Sequence, residues 1–198
     1  MKIAAIILAA GQSARFAGGN KLLAEIDGQP LIRHIVTAVA ASPDDDIVLV
    51  IAPDGAAVAA AAVPGRWRAI KCQNATDGLS ASLQTGLRSV DANTQGAMIV
   101  LADMPRVTTG LLTALCWEFI GSGCKNIVFP QSATGNQGNP VIWPRALFAE
   151  LMTLVGDTGG KPILATYADL HQPVILDDIS PFFDIDTLDD LENLRRQS

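Results

Sequence analysis

The fold is decided by the stretch IAAIILAAGQSARFAGGNK, residues 3–21. Residues 3–8 are all aliphatic, as expected of a strand that is buried on both faces of a parallel sheet. The rest is a loop of small residues that contains two cations, Arg15 and Lys21. Small residues let backbone N–H groups approach a phosphate, and the cations supply opposite charge. The stretch therefore predicts an α/β domain with an anion site where its first strand ends.

The loop matches neither of the two common phosphate-binding motifs. In G-x-x-x-x-G-K-[ST] a hydroxyl residue follows the lysine, whereas Leu22 follows Lys21 here. The dinucleotide motif G-x-G-x-x-G lacks its first Gly-x-Gly. A flexible surface loop is the alternative interpretation of this segment.

Apolar segments and helical patterns alternate along the rest of the chain. Buried strands are predicted at residues 3–8, 47–51, 97–101 and 127–129, and helices at 31–41, 55–62, 80–89 and 109–120. The last third is less regular, with strands predicted at 138–143 and 174–176 and helices at 144–154, 159–167 and 187–196. Because no linker or charge block marks a boundary, we expect one domain over residues 1–198. Its predicted architecture is a three-layer α/β/α sandwich around a mostly parallel, Rossmann-like sheet.

The composition excludes several classes of protein. Of the 198 residues 49% are hydrophobic and 17% are charged, which excludes intrinsic disorder. A net charge of -6, from 14 Lys and Arg against 20 Asp and Glu, argues against a nucleic-acid partner. The apolar run at residues 3–10 is far shorter than the ~20 residues that span a bilayer, so no membrane partner is expected.

The predicted location is the cytoplasm. Three widely spaced cysteines without a Cys-x-x-Cys pair are typical of thiols in a reducing compartment. The apolar run after Lys2 could instead be the core of a signal peptide, but its basic leader is minimal and polar residues follow at once.

Three more segments carry candidate functional residues. Asp103 ends an apolar strand and precedes Met104-Pro105, which suits either a Mg²⁺ ligand or a turn cap. Residues 74–83 open a helix with glycine and hydroxyl groups, which suits an anion, a base edge, or a simple N-cap by Ser80. Asp184 and Asp186 alternate with Ile185, so both carboxylates lie on one face of an extended segment. Either one is a candidate second metal ligand.

Other chemistries lack the residues they need. The chain has two histidines, one in the helix predicted at 31–41 and one in a late loop, so a His-rich zinc site is not expected. The sequence GLSAS at residues 78–82 lacks the final glycine of a nucleophile elbow, which argues against a serine hydrolase.

Taken together, these segments resemble the MobA-like nucleotidyltransferases, and within them the molybdenum cofactor cytidylyltransferase (MocA) branch. The resemblance spans nearly the whole chain in order. The shared motifs are Leu8-Ala9-Ala10-Gly11-x-Ser13-x-Arg15-Phe16, Asn20-Lys21-Leu22-Leu23, Gly78-Leu79-Ser80-x-Ser82-Leu83, Leu101-x-Asp103-Met104-Pro105, Gly138-Asn139-Pro140-Val141, Gly156-Asp157-x-Gly159-Gly160-Lys161 and Asp184-Ile185-Asp186-Thr187.

The resemblance implies a fold of the nucleotide-diphospho-sugar transferase type and a Mg²⁺-dependent reaction. Members transfer a nucleoside monophosphate from CTP or GTP to the terminal phosphate of molybdopterin and release pyrophosphate. The implied partners are therefore a nucleoside triphosphate, a molybdopterin-type acceptor and a recipient molybdoenzyme. The cytidine-using branch has Ala where the guanosine-using branch has Gly, so Ala10 favours CTP.

The resemblance also implies roles for individual residues. The implied catalytic residues are Arg15, Lys21 and Asp103. The implied metal ligands are Asp103 and Asp186, with Asp184 as the alternative to Asp186. The nucleotide-binding residues are Leu8, Ala9, Ala10, Gly11, Ser13, Lys21, Asn74, Gly78 and Ser80. The acceptor-binding residues are Gly138, Asn139, Pro140, Asp157 and Lys161.

The sequence departs from the family pattern at two places. Ala17 replaces a usual glycine, and residues 18–20 make the loop one residue longer than its shortest versions. Leu188 stands where proline is common, which a helix start tolerates. Two alternatives to the main hypothesis remain: a related transferase that uses GTP or another phosphorylated acceptor, such as a sugar or polyol phosphate, and a non-catalytic protein that escorts the cofactor.

Overall fold

The computed structural model describes residues 1–13, 16, 19–63 and 65–196. Seven strands form the main sheet in the order β5-β4-β1-β6-β8-β7-β9, and β2 and β3 form a separate two-stranded hairpin. The strand bounds are β1 (Ile3–Ala9), β2 (Glu25–Ile26), β3 (Gln29–Pro30), β4 (Asp46–Ile51), β5 (Arg68–Lys71), β6 (Gly96–Leu101), β7 (Ile127–Ser132), β8 (Val141–Pro144) and β9 (His171–Leu176).

Helices cover both faces of the sheet. Their bounds are α1 (Leu31–Ala40), α2 (Ala56–Ala61), α3 (Leu79–Ser89), α4 (Thr109–Gly121), α5 (Phe148–Leu151), α6 (Lys161–Thr166) and α7 (Leu188–Arg196). Short 3₁₀ helices occur at Lys21–Leu23, Ala75–Asp77, Arg145–Leu147, Ala168–Leu170 and Ser180–Phe182. In the part of the chain that the structure describes, no helix is both long and apolar enough to cross a bilayer.

Two hydrophobic clusters, one on each face of the sheet, form the core. Alternate residues of β1 point to opposite faces, so Ile7 packs in one cluster and Ile6 in the other. The first cluster receives side chains from α1, α2, α4 and α7, and the second from α3, α5 and α6. Every residue of β1 is buried, as its continuous apolar sequence predicts. The prediction of an α/β/α sandwich with a mostly parallel sheet is confirmed.

The direction of the strands brings the predicted functional loops to one edge of the sheet. Strands β5, β4, β1 and β6 are mutually parallel, so their carboxyl ends lie together. β8 runs antiparallel to both β6 and β7, and Val141 at its start pairs with Ile99 near the end of β6. The start of β8 therefore lies at the same edge as the ends of its neighbours.

Several predicted boundaries were wrong. β5 was not predicted because it is a polar edge strand in which Arg68, Ala69 and Lys71 are exposed. The strand predicted at 138–143 begins only at Val141, and the helix predicted at 144–154 is a 3₁₀ turn followed by the short α5. The second histidine, His171, is the first residue of β9 rather than part of a loop. Cys72, Cys116 and Cys124 are free thiols.

Candidate active site

A cleft of about 450 Å³ opens at the carboxyl edge, between the loop after β1 and the loop after β6. We call it the carboxylate cleft because Asp103, Asp157, Asp184 and Asp186 all line it. The small residues after β1 form another wall. The other lining residues are Leu8, Ala9, Ala10, Gly11, Gln12, Ser13, Lys21, Leu22, Ala75, Thr76, Gly78, Leu79, Ser82, Leu101 and Ala102.

Lys21 bridges two of these carboxylates. Its Nζ donates to Asp103 Oδ2 at 2.6 Å and to Asp186 Oδ1 at 3.0 Å. The three side chains are largely buried, with exposed fractions of 13% for Lys21, 20% for Asp103 and 30% for Asp186. Burial lowers the pKa of Lys21, but the charges and hydrogen bonds of Asp103 and Asp186 outweigh it, so the pKa lies above its ordinary value. The lysine is therefore held as an ammonium ion.

Local hydrogen bonds fix the backbone around Lys21. Asn20 caps the 3₁₀ helix that Lys21 begins, because its side chain accepts from the backbone N–H of Leu22 at 3.0 Å. Ser13 Oγ accepts from the backbone N–H of Lys21 at 3.1 Å. The loop after β1 and the lysine are thus joined through the Ser13 hydroxyl.

The segment that carries Asp184 and Asp186 is anchored against the end of β6. Ile185 is buried in the core, and its N–H donates to the carbonyl of Asp103 at 3.0 Å. Both flanking carboxylates line the cleft, which confirms that the alternating pattern places them on one side. The pKa of Asp184 is raised by burial and by the charge of Asp103. Three acidic groups and one ammonium therefore share this corner of the cleft.

The start of α7 holds Asp186 in place. Thr187 Oγ1 accepts from the N–H of Asp190 at 3.2 Å, so Thr187 is the N-cap of α7. In return, Asp190 Oδ2 accepts from the N–H groups of Asp186 at 3.1 Å and of Thr187 at 2.8 Å. The hydroxyl and amide groups of Thr187 lower the pKa of Asp190, which keeps this cap charged.

The two carboxylates that contact Lys21 also suit a hard divalent cation. Asp103 Oδ1 is buried and has no hydrogen-bond partner among the described residues, although a buried carboxylate oxygen normally has one. No three His, Cys, Asp or Glu side chains of residues 1–13, 16, 19–63 and 65–196 converge into a complete metal-binding set. Mg²⁺ needs no such set, since it is commonly held by one or two carboxylates together with substrate phosphates. The donors therefore fit a metal whose other ligands come from a phosphorylated substrate.

The amino end of α3 forms the far side of the cleft, and a separate loop caps it. The N-cap residue is Gly78, which has a φ of 103°, and a Cβ there would lie 2.4 Å from the carbonyl carbon of Gly156. Asp157 Oδ1 accepts from the N–H of Leu79 at 3.3 Å. Ser80 instead donates its hydroxyl to the carbonyl of Gly156 at 2.8 Å, so the interpretation of Ser80 as the N-cap is wrong.

A second cleft of about 740 Å³ adjoins the first, and we call it the adjoining cleft. The two clefts share a wall made of Ala9, Ala10, Gly11, Gln12, Ala75 and Thr76. The adjoining cleft extends under the loop after β4, where Ala52, Pro53 and Asp54 line it, and reaches Gln73 beyond β5. Ala10 is buried and lines both clefts.

Most of the predicted site residues line the carboxylate cleft, and some lie elsewhere. Asn74 lines neither cleft, and its amide donates to Asp77 Oδ2 at 3.2 Å. Gly138, Asn139 and Pro140 precede β8 at the same edge, where a Cβ on Gly138 would meet the ring of Phe182 at 2.2 Å. Lys161 is exposed at the start of α6. Arg15 and Ala17 lie outside the described residues.

Sequence reasoning assigned no individual role to several polar residues that line the two clefts. Gln12 and Thr76 line both, and Asp54 and Gln73 line the adjoining cleft. Asp54 could have been found, because it lies in the loop after the strand predicted at 47–51 and such loops form the ligand edge of α/β sheets. Gln73 follows β5, which was itself missed, so no local pattern indicated that it lies at this edge.

Known proteins similar to this chain include nucleotidyltransferases and a purine catabolism protein. The bifunctional protein GlmU of Sinorhizobium fredii is 32% identical over 112 residues, which cover 56% of this chain and 25% of GlmU. The chain therefore spans about a quarter of the length of this relative. The purine catabolism protein PucB of Bacillus subtilis is 26% identical over 201 residues, covering 96% of this chain and 95% of PucB. A probable molybdenum cofactor guanylyltransferase of Haloferax mediterranei is 31% identical over 112 residues, covering 57% of this chain and 52% of the relative.

A similar solved structure is that of Rv0371c from Mycobacterium tuberculosis, with a TM-score of 0.85 and 26% identity over 99% of this chain and 98% of that one. Rv0371c has also been solved in complex with manganese. The family model that describes the MobA-like NTP transferase domain matches residues 5–172. This match includes the loop after β1, the end of β6 and the loop that caps α3, so the chain belongs to the MobA-like NTP transferase family of nucleotidyltransferases.

Proposed function

We propose that this protein transfers CMP from CTP to the terminal phosphate of molybdopterin and releases pyrophosphate, with Mg²⁺ as its cofactor. The observation that carries the proposal is the contact of Lys21 with Asp103 and Asp186 inside a cleft walled by the small-residue loop after β1. This arrangement combines a cation, two carboxylates and a wall of small residues that lets a ligand approach the backbone. Those are the groups that a triphosphate and its metal require.

The reaction forms a bond between an oxygen of the acceptor phosphate and the α-phosphorus of CTP. The bond from the α-phosphorus to the oxygen that bridges to the β-phosphorus breaks, and its electron pair leaves with pyrophosphate. Two anions have to meet, and two unit charges 4 Å apart repel by about 4 kcal/mol at an intermediate dielectric. The protein's work is therefore to align the two phosphates and to compensate their charge.

We assign a role in this reaction to each charged group near Lys21. Lys21 donates to phosphate oxygens of CTP, and Arg15 is proposed to do the same from the adjacent part of the loop. Asp103 and Asp186 would hold Mg²⁺, which when bound supplies positive charge for the triphosphate. The orphaned Oδ1 of Asp103 supports this role, because it is a buried acceptor that has no hydrogen-bond partner within the described ranges. Asp186 is preferred to Asp184 because it is the one that contacts Lys21.

The adjoining cleft is the proposed site of the cytosine base. It meets the carboxylate cleft at Ala10 and Gly11, so a nucleotide that spans both would place its sugar beside these small residues. Gln12, Gln73 and Thr76 supply amide and hydroxyl groups that can bond to the edge of a base. Ala10 favours CTP over GTP on the family resemblance.

The acceptor is proposed to enter from the side of Asp157, which lines the carboxylate cleft. Lys161, four residues further along the chain, is exposed and can meet a phosphate. The printed name of the Haloferax relative, a probable molybdenum cofactor guanylyltransferase, supports a molybdenum cofactor as the acceptor class. The product would pass to a molybdoenzyme in the cytoplasm, and the free cysteines agree with a reducing compartment.

Incubation with molybdopterin and each of the four nucleoside triphosphates, followed by mass spectrometry, tests the proposal. We expect the cytosine dinucleotide from CTP, with stoichiometric pyrophosphate, and little product from GTP. Thermal shift measurements should show CTP with Mg²⁺ raising the Tm more than GTP does. Equal shifts would remove the assignment of the base, and the absence of a dinucleotide with every triphosphate would refute the acceptor.

A further inference from the structure

In the structure the ammonium of Lys21 contacts one oxygen of each of the two carboxylates that are proposed to hold the metal, Asp103 and Asp186. Its Nζ lies 2.6 Å from Asp103 Oδ2 and 3.0 Å from Asp186 Oδ1. Mg²⁺ binds carboxylate oxygens at about 2.0–2.1 Å, so an ion on the same two oxygens would lie very close to the ammonium. Two cations at that separation repel strongly in a largely buried site. The lysine contact and the metal therefore compete for the same carboxylates.

The backbone of Lys21 is fixed, but its ammonium is at the end of a flexible stem. Asn20 and Ser13 hold the backbone N–H groups of Leu22 and Lys21. The four-carbon side chain can still swing from the carboxylates toward phosphate oxygens in the same cleft. A triphosphate would offer the ammonium new acceptors and would bring additional ligands for the metal. Both effects favour replacement of the ammonium by a metal ion at the two carboxylates.

We propose that Lys21 is a counter-ion that keeps divalent metal out of the empty site, and that it yields the carboxylates when a nucleoside triphosphate binds. This inference rests on the proposed function for the identity of the triphosphate. The exchange makes metal binding dependent on nucleotide. Free metal then binds poorly to the nucleotide-free protein, and metal and nucleotide each raise the affinity for the other by the same factor.

Calorimetric titration of Mn²⁺ into the nucleotide-free protein tests the exchange, with Lys21→Met as the variant because methionine keeps the stem and removes the charge. We expect Lys21→Met to bind Mn²⁺ at least about tenfold more tightly than the wild type, within the 5- to 150-fold range usual for coupled sites. Adding Asp103→Asn to Lys21→Met should abolish the gain. Lys125→Met is the matched control, since Lys125 is exposed before β7 at the opposite edge and its loss should leave Mn²⁺ affinity unchanged.

A second readout covers the case in which the variant is poorly folded. Without the ammonium, Asp103, Asp184 and Asp186 repel one another, so Lys21→Met should melt at a lower temperature than the wild type and should recover more stability on adding Mn²⁺. Equal Mn²⁺ affinity and equal Mn²⁺-induced shifts in Tm for the two proteins would overturn the inference. Both measurements are made without CTP or acceptor, so a wrong substrate assignment leaves this result unchanged.

Discussion

Buried carboxylates lie at opposite edges of the sheet, and the protein treats them differently. At the carboxyl edge, Asp103 contacts the ammonium of Lys21. At the amino edge, Asp44 lies in the turn before β4 with an exposed fraction of only 2%, and the hydroxyl of Ser42 and the thiol of Cys116 donate to its carboxylate. Arg66 is close, but it donates to the backbone carbonyl of Asp44 at 2.7 Å rather than to the carboxylate.

The difference shows what each edge is built to do. Burial raises the pKa of Asp44 to about 6, and the hydrogen bonds of Ser42 and Cys116 oppose this only in part. Burial and the neighbouring Asp44 also raise the pKa of Cys116, so the thiol stays protonated and inert. At the amino edge, burial therefore raises the pKa of the acid, and hydrogen bonds from Ser42 and Cys116 stabilise its charged form in place of a contacting cation. The carboxyl edge instead holds several acids beside a cation that another cation can replace.

Replacing each carboxylate by its amide contrasts the two edges most strongly. Asp103→Asn should lower kcat/KM for pyrophosphate release on the order of 10²–10³-fold, the loss expected when one preorganised charged group is removed. Asp44→Asn should leave kcat/KM unchanged, because Asp44 lies at the opposite edge from both clefts. Initial rates of pyrophosphate release, with circular dichroism to check folding, measure both. Full turnover by Asp103→Asn would place the metal elsewhere.

The pH dependence of stability should reveal Asp44, whose replacement is expected to leave turnover unchanged. The pKa of Asp44 is raised from 3.8 to about 6 in the folded protein. The contribution of Asp44 to the free energy of unfolding is therefore largest below pH 4 and is lost as the pH rises through about 6. At pH 8 the charged carboxylate costs about 3 kcal/mol, at ~1.4 kcal/mol per pKa unit. Asp44→Asn should therefore unfold at higher denaturant than the wild type at pH 8, and the difference should shrink toward pH 4. A variant that is less stable at pH 8 would contradict the raised pKa.

Adding a methyl group at Gly78 tests how closely the start of α3 packs against the loop at Gly156. Gly78→Ala would bring a Cβ to 2.4 Å from the carbonyl carbon of Gly156 at a φ of 103°, so the capping loop has to move. We expect a loss of about 1–3 kcal/mol in stability, the cost of such a strained backbone, and a raised KM for the acceptor. Gly121→Ala is the control, since nothing lies within 4 Å of its Cβ at the end of α4. It should be neutral or slightly stabilising in chemical denaturation.

The smallest effect is expected at an exposed tryptophan. Trp117 on α4 is 64% exposed, whereas Trp143 in β8 is 2% exposed. Trp117→Ala should change the free energy of unfolding by no more than about 0.5 kcal/mol, as is usual for surface positions, and should not change turnover. Trp143→Ala should cost several times more, about 3–5 kcal/mol, because it opens a cavity in the core. Urea denaturation of the two variants measures both changes in the free energy of unfolding.

The sequence predicted the fold well where hydrophobic pattern and burial agree. β1, β4 and β6 are continuous apolar runs and appear within one residue or so of the predicted limits. β5 was missed because an edge strand with exposed Arg68 and Lys71 has no apolar signature. The antiparallel direction of β8 was not predictable either, since an apolar run carries no information on strand direction.

For the candidate site, too, some features could be predicted from the sequence and others could not. Asp103, Asp186 and Lys21 were each singled out from local patterns. Lys21 is separated by 82 positions from Asp103 and by 165 positions from Asp186, so their contact depends on the tertiary fold. The cap of α3 by Asp157 was not foreseen, because the donor and acceptor are 78 positions apart. Local sequence thus identifies the chemical groups, and the topology decides which of them meet.

The reversed strand β8 has a consequence for how this protein can change. Because β8 begins at the ligand edge, the chain between the end of β7 and Val141 turns at that edge instead of crossing the molecule. Pairing of β8 with β6 and β7 fixes the register on both sides of this turn. Residues can be added or removed there without shifting a strand. The length of this turn, on the proposed acceptor side, can therefore change without disturbing the strands that carry the carboxylate cleft.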